Sequence, residues 1–173
     1  MVDVTYQMVL STLQTVGILF GIAYYIMTLN NTKKNQQMQL ETRHAQLMMQ
    51  LWNTYIDKYR ASVITLRQIE YEDFDDFWSR YGYDVNPEFW TEELKIMGWF
   101  ENIGLLVREG YLDIRLIALA YSTPIRDIWN KFEPIYAELG EKWDWPRLWS
   151  ETEYLYSELV KYHKEHPELN YNR

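Results

Sequence analysis

The feature that most constrains this chain is a run without a charged side chain from Val4 to Thr32. Its apolar part, Val9 to Leu29, is long enough to cross the hydrocarbon of a bilayer, which takes roughly 20 helical residues. A charged group at the bilayer centre costs at least about 2.5 kcal/mol, so a charge-free run of this length is informative. The run predicts one transmembrane helix, with the lipid bilayer as its first partner.

Two other structures produce runs of this kind. The buried helix of a soluble bundle is equally apolar, and a cleaved signal peptide also lies near an N-terminus. A signal peptide needs a basic start and a small-residue cleavage site, whereas this chain starts Met-Val-Asp and no such site follows. A membrane anchor is therefore the preferred interpretation, with the buried helix as the alternative.

Polar and small residues share one face of this segment, which we call the anchor stripe. They recur at helical spacing, as Gln7, Ser11, Gln14, Gly17, Gly21 and Thr28. Gly17 and Gly21 form a GxxxG pair, which lets two helix backbones approach closely, although the pair also occurs by chance in membrane segments. We expect Gln14, Gly17 and Gly21 to pack against a helix of a second copy or of another membrane protein.

Charged residues flank mainly one end of the run. Asp3 precedes it, while Lys33, Lys34 and Arg43 follow it. The positive-inside rule places the basic end in the cytoplasm. We therefore expect a single-pass protein of the cell membrane, with its N-terminus outside and its C-terminal domain in the cytoplasm.

The remaining charge is unevenly distributed. Asn30 to Arg60 contains five basic and two acidic residues, whereas Ala61 to Arg173 contains twelve basic and 22 acidic residues. Nucleic-acid binding needs a positive surface to neutralise phosphates. The distal part has the opposite sign, so no nucleic-acid partner is expected.

The chain after the anchor reads as helical throughout. Residues 32–69 lack Gly and Pro, and their apolar residues recur three, four or seven apart, which predicts a long amphipathic stalk helix. The predicted organisation is an all-α protein with an anchor at residues 1–31, a stalk at 32–69 and a compact helical bundle domain at 70–173.

Capping residues divide the predicted domain. Asn86-Pro87 should start a buried central helix that stops near Gly110, and Asp113 should cap the next one. Thr123-Pro124 should open another helix, which Pro134 should kink or split. The last helix should span roughly Pro146 to His163, with His163 and His166 at the start of a solvated tail.

Two groups of aromatic residues are candidates for an interaction surface. Phe74, Phe77 and Trp78 belong to an acidic segment that reads as a solvated turn whose aromatic residues fold back onto the core. Trp143, Trp145 and Trp149 are concentrated before the last helix. Trp and Tyr are favoured at binding hot spots. The alternatives are a core position for both groups, and lipid headgroups as the contact of the tryptophans.

No motif for catalysis, metal binding or nucleotide binding stands out. The chain has no Cys and three His, and it lacks the phosphate-loop and nucleophile-elbow patterns, so we predict no catalytic residue, metal site or cofactor. Glu101 is the titratable group of most interest because it lies in the most apolar predicted helix. It is expected to be a buried carboxylate, either satisfied by Arg108, Arg115 or Arg126 or acting as a general acid with a raised pKa.

Several segments together resemble a known family. They are Thr-Tyr-Gln-x-Val-Leu near the start, YEDFDDFWSRYG, FENIGLLVREGYLD from Phe100 to Asp113, and the terminal His-Pro-Glu-Leu. With them the chain resembles a family of small uncharacterised, mainly archaeal, N-terminally membrane-anchored helical proteins, classed as a domain of unknown function. The resemblance implies one anchor and a helical domain, and it implies no activity.

Two hypotheses for the function follow. The first is a non-catalytic scaffold, docking module or accessory subunit of a membrane complex. The second is a membrane-tethered enzyme or defence effector with Glu101 in a helical pocket. A deep cleft of polar groups around Glu101 would favour the second, and an exposed aromatic patch would favour the first.

Overall fold

A computed structural model describes residues 2–169, and within that range it contains helices and no strand. The elements are α1 (Val2–Thr54), a π-helical turn (Tyr55–Tyr59), α2 (Arg60–Gln68), α3 (Phe74–Tyr81), α4 (Pro87–Arg108), α5 (Ile114–Lys142), α6 (Ser150–Glu165) and a 3₁₀ turn (Pro167–Leu169). The all-α prediction is confirmed. Residue 1 of the predicted anchor and residues 170–173 of the predicted domain lie outside the described range.

The chain divides into two compact units, Met1–Leu47 and Met48–Arg173. The break lies within the predicted stalk, between the boundaries that the sequence suggested after residues 31 and 69. The proximal half of that predicted stalk therefore belongs to the first unit, and the distal half belongs to the second.

The first unit is helical wherever it is described, and every side chain from Thr5 to Gln46 is exposed. It contains a window that is long and apolar enough to cross a membrane by length and composition, and no residue of that window is buried. The core helix of a soluble bundle would be mostly buried, so this segment does not match that alternative.

Three hydroxyl groups of this helix are satisfied by its own backbone. Ser11 and Thr12 donate to the carbonyl of Met8 at 3.0 and 2.8 Å, and Thr15 donates to the carbonyl of Ser11 at 2.9 Å. Because a hydroxyl without a partner is costly in an apolar medium, these bonds make the three hydroxyl side chains compatible with lipid.

The second unit begins with aromatic packing. Tyr55 and Tyr59 stack on Trp99 at centroid distances of 5.4 and 5.0 Å, and Trp52 and Tyr55 lie 6.0 and 5.5 Å from the ring of Tyr121. The π-helical turn carries both tyrosines that contact Trp99. The distal part of the predicted stalk is therefore packed against α4 and α5.

The predicted ends of α4 are confirmed. The Asn86 side chain accepts a hydrogen bond from the backbone N–H of Phe89 at 2.9 Å. At the other end Gly110 has φ +73°, its N–H donates to the carbonyl of Val107, and the N–H of Tyr111 donates to that of Leu106. This is the Schellman arrangement, which glycine favours because it requires a left-handed residue.

The predicted division of α5 is wrong. A single helix runs through both Pro124 and Pro134, where the sequence suggested a new start and a kink or split. Each proline removes one backbone hydrogen bond, but buried residues flank both of them. They are Ile117, Tyr121, Ile125, Ile128, Phe132, Ile135 and Leu139. Packing of this face maintains the helix across both prolines.

The acidic segment is helical, whereas the sequence suggested a turn. It forms α3, whose N-cap Asp73 accepts a hydrogen bond from the backbone N–H of Asp76 at 2.9 Å. Phe77 on this helix is 1% exposed and lies 5.4 Å from Phe89 and 6.2 Å from Phe132. The expected solvated turn is thus a short helix that contributes to the core.

α4 and the start of α6 approach each other closely at Gly104. A Cβ atom built on Gly104 would overlap the carbonyl oxygen of Glu151 and lie 2.6 Å from its carbonyl carbon. A Cβ atom built on Gly98, two turns earlier in α4, would meet no atom within 4 Å. Only the first of these two glycines is required by packing.

These two glycines give a matched stability test. Gly104→Ala should lower the free energy of unfolding by about 2 kcal/mol or more, because the added methyl group meets backbone that cannot rotate away. Gly98→Ala should leave it unchanged or raise it by roughly 0.5–1 kcal/mol, since alanine is the better helix former. Urea unfolding of the full-length protein in detergent measures both, and equal effects would contradict the close approach.

Candidate functional site

The predicted aromatic residues separate into two sites. Phe74 stacks on Trp78 at 5.8 Å, and Trp143 meets Trp78 edge to face at 6.4 Å. The Nζ of Lys142 lies 3.8 Å from the centre of the Trp78 ring. We call Phe74, Trp78, Lys142 and Trp143 the Trp78 patch. Trp143 of the second predicted group therefore shares a surface with Phe74 and Trp78 of the first, although they lie far apart in the sequence.

The Trp78 patch lies on the core. Trp90, which is 5% exposed, contacts Trp78 at 6.3 Å and Trp143 at 6.0 Å. The indole N–H of Trp90 donates to the carbonyl of Tyr81 at 2.7 Å, which fixes its ring. Trp143 is 43% exposed, whereas the predicted contact residue Phe77 is buried and cannot form part of a surface.

Trp145 and Trp149 lie at the second site. Trp149 meets Tyr136 edge to face at 6.3 Å, and Trp145 is exposed and lines a cleft of about 370 Å³. We call this the acidic cleft. Its lining includes the aromatic residues Trp129, Tyr136 and Trp145 and the acidic residues Glu133, Glu141, Asp144 and Glu153.

A strained connection between α5 and α6 forms one side of the acidic cleft. α5 ends in a Schellman motif, in which the N–H groups of Asp144 and Trp145 donate to the carbonyls of Glu141 and Gly140. Asp144 and Trp149 have φ values of 50° and 57°. They are the two non-glycine residues with positive φ among the described residues. Aspartate tolerates this conformation, but it is rare for a bulky residue such as tryptophan.

Glu93 was not predicted as a site residue, and it is the most deeply buried carboxylate of the described residues. It is 1% exposed, and burial raises its pKa to about 8, although interactions with the Tyr136 hydroxyl and the Trp149 indole lower the pKa in part. Neither carboxylate oxygen has a hydrogen bond of ordinary geometry. Glu93 lies four residues after Phe89 and three before Ile96, so helical spacing could have placed it on the buried face.

Glu101 has a different environment from the expected one. It is half-buried, and its Oε2 accepts hydrogen bonds from the backbone N–H and the hydroxyl of Thr152 at 2.6 and 3.2 Å. Burial raises its pKa, and these bonds lower it in part. The N-cap residue Trp149 supplies no side-chain hydrogen bond to the first turn of α6. Glu101, on the neighbouring helix α4, takes the place of an N-cap side chain there.

His163 is not part of a solvated tail. α6 continues to Glu165, and the Nε2 of His163 lies 2.7 Å from the hydroxyl of Ser122 on α5. Burial, with a contribution from Arg126, lowers the pKa of His163. The two side chains are 7% and 8% exposed, so this pair is a buried hydrogen bond between α5 and α6 and does not form an accessible nucleophile.

The anchor stripe has no neighbour within the described chain. Gln14, Gly17 and Gly21 are exposed, and a Cβ on either glycine would meet nothing within 4 Å. Close packing of this face against another helix stays a prediction.

The fold and these sites define an all-α protein that has one candidate membrane helix near its N-terminus and a helical domain. Residues 11–159 match the family described as a domain of unknown function, DUF4760, and the chain belongs to this family. The expected resemblance is confirmed at that level. No curated protein and no solved structure matches the chain.

Glu93 should make the stability of the domain depend on pH. In the unfolded chain the carboxyl ionises near the usual glutamate value of 4.5, whereas in the folded chain its pKa is about 8. The unfolded state therefore binds fewer protons between these values, and the free energy of unfolding should fall as pH rises, by up to roughly 1.4 kcal/mol per pH unit. Glu93→Gln should remove this dependence.

Urea unfolding of the full-length protein in detergent at several values between pH 5 and pH 8 measures the effect. Glu138→Gln, an exposed position on α5, is the control for loss of one carboxylate. If the wild-type protein and Glu93→Gln show the same pH dependence, Glu93 is ionised in the folded protein and this interpretation is wrong.

Proposed function

We propose that this protein is a single-pass membrane-anchored docking module whose helical domain binds a basic surface of a partner protein in the cytoplasm. The observation that carries the proposal is the Trp78 patch, a partly exposed aromatic surface packed on the buried Trp90, in a chain with an unburied apolar N-terminal helix.

The anchor is supported by three properties of the first unit. The segment lacks charge over a length sufficient to span a bilayer, its apolar side chains are exposed, and the hydroxyls of Ser11, Thr12 and Thr15 bond to its own backbone. A secretory signal has an apolar region of about 7–15 residues, which is shorter than this run. Lys33, Lys34 and Arg43 on one side favour a cytoplasmic domain.

The docking role is supported by the kind of residues exposed. Tryptophan is enriched at binding hot spots because it provides a large contact area with few rotatable bonds. The distal part of the chain has ten more acidic than basic residues, so its field attracts basic surfaces. The enzyme hypothesis required Glu101 as a catalytic acid. Glu101 instead accepts hydrogen bonds from the first turn of α6, which supports a structural role for it.

The orientation is testable because the chain has no cysteine. A single Glu138→Cys variant should not react with a membrane-impermeant maleimide in sealed bacterial cells, and should react once the membrane is permeabilised. Thr5→Cys, at the opposite end of the apolar run, should react in both conditions. Labelling of Glu138→Cys in sealed cells would contradict a cytoplasmic domain, and release of the protein by alkaline carbonate would contradict the anchor.

The docking surface is testable by site-specific photo-crosslinking in native membranes. A photoreactive phenylalanine analogue at Trp143 should form a discrete adduct with a protein partner, and Trp78→Ala in the same chain should reduce its yield roughly tenfold or more, as loss of a hot-spot residue does. The same analogue at Tyr111, which is 63% exposed and outside the patch, is the matched control. Equal adducts at both positions, or none at Trp143, would contradict the proposal.

A further inference from the structure

We infer that the Trp78 patch binds the ammonium group of a lysine side chain on the partner protein, and that Lys142 occupies this position in the free domain. The inference rests on the proposed docking role, because it names the chemical group by which the partner is recognised at the same surface. Lys142 is then an internal ligand of the patch, which a lysine of the partner displaces.

A cation already lies on the aromatic rings of the patch. The Nζ of Lys142 is 3.8 Å from the centre of the Trp78 ring and 5.6 Å from the centre of the Phe74 ring. Both distances are within the roughly 6 Å over which the face of an aromatic ring attracts a cation, and tryptophan is the most effective of these rings. The patch therefore has the geometry of an ammonium site, with an ammonium group in place.

The rings of this site are positioned by contacts with one another. Trp78 meets the buried Trp90 edge to face at 6.3 Å and Trp143 at 6.4 Å. Phe74 stacks on Trp78 at 5.8 Å. Because these contacts join ring to ring, the arrangement does not require the ammonium of Lys142. A site whose side chains are already ordered loses little conformational entropy when a ligand binds.

The ammonium of Lys142 lacks the ion pair that the other ring-bound cations of the described chain have. Arg108 lies 4.3 Å from the centre of the Tyr154 ring and also forms a salt bridge with Glu151 at 2.7 Å. Arg80 likewise contacts both a ring and a carboxylate. Lys142 is exposed and forms no salt bridge with any described residue. An exposed cation–π contact is weak, so a change of side-chain rotamer is sufficient to vacate the site.

The charge of the domain favours a basic ligand. Residues 61–173 contain ten more acidic than basic residues, so their field attracts a basic surface toward the patch. A lysine of the partner supplies the same ammonium group as Lys142, and its apolar stem can also cover Trp143, which is 43% exposed. The exchange replaces one cation–π contact by another, so the affinity comes from the additional apolar contact and from the rest of the interface.

The test uses the full-length protein in detergent and a fluorescein-labelled peptide of alternating lysine and glycine, whose binding is measured by fluorescence polarisation. A trimethyllysine version should bind at least as tightly, because it keeps the charge and enlarges the contact with the ring faces. A version with a neutral tert-butyl group in place of each trimethylammonium should bind at least about tenfold more weakly, because it keeps the shape and loses the charge. Trp78→Ala should weaken binding of the lysine peptide by a similar factor.

A matched pair of variants tests the role of Lys142 as an internal competitor. Lys142→Met removes the cation and keeps an unbranched side chain, so it should strengthen binding of the lysine peptide about two- to fivefold, the equivalent of one exposed cation–π contact. Lys164→Met removes the same charge from an exposed position on α6 and should change the affinity less than about 1.5-fold, because solvent and salt screen charges outside the site.

Three results would overturn the inference. They are equal binding of the neutral peptide, weaker binding of the trimethyllysine peptide than of the lysine peptide, and equal effects of Lys142→Met and Lys164→Met. The comparison of peptides uses the unaltered protein, so it does not depend on the folding of a Trp78 variant.

The docking proposal is tested separately in native membranes. Lys142→Met should raise the yield of the crosslink at Trp143. A crosslink that depends on Trp78 and is unchanged by Lys142→Met would contradict the exchange of cations and leave the docking role intact. Absence of the crosslink would contradict the docking role, and the peptide titrations would still decide whether the patch is an ammonium site.

Discussion

The close approach of α4 to the first turn of α6 determines how the start of α6 packs on the domain. At Gly104 the two backbones are too close for a side chain, and one turn earlier Glu101 supplies the carboxylate that caps α6. The cap matters because Trp149, which precedes α6, has a left-handed backbone and provides no side-chain bond. The start of α6 is therefore fixed by a neighbouring helix, since its own sequence lacks the usual N-cap residue.

The same contact connects the core to the acidic cleft. With α6 fixed at its first turn, Trp149 lies beside Tyr136 and interacts with Glu93, whose pKa of about 8 leaves it mostly neutral near pH 7. The connection from Asp144 to Trp149 spans this region with positive φ values at both ends. Conformations of this kind cost of order 1–3 kcal/mol and persist only when the surrounding packing determines them. The packing of Trp149 against Tyr136 and Glu93 therefore supports the connection that forms one side of the acidic cleft.

Features that depend on a few neighbouring residues could be predicted from the sequence. The apolar run, the start of α4 at Asn86, its end at Gly110 and the cap at Asp113 are all of this kind, because charge, capping and left-handed backbone act over one turn of chain. Features set by distant neighbours could not be predicted. They include the continuity of α5 through Pro124 and Pro134, and the hydrogen bond between Ser122 and His163.

The separation of the three tryptophans shows why composition alone could not define the candidate sites. Trp143, Trp145 and Trp149 are nearly adjacent in sequence, yet the Schellman turn at the end of α5 directs Trp143 to Trp78 and Trp145 to the acidic cleft, and Trp149 packs on Tyr136. One surface then combines aromatic rings with Lys142, and the other combines them with carboxylates that form no salt bridge among the described residues. Residues that are nearly adjacent in sequence therefore contribute to two surfaces of different charge, and only the tertiary packing of α5 and α6 separates them.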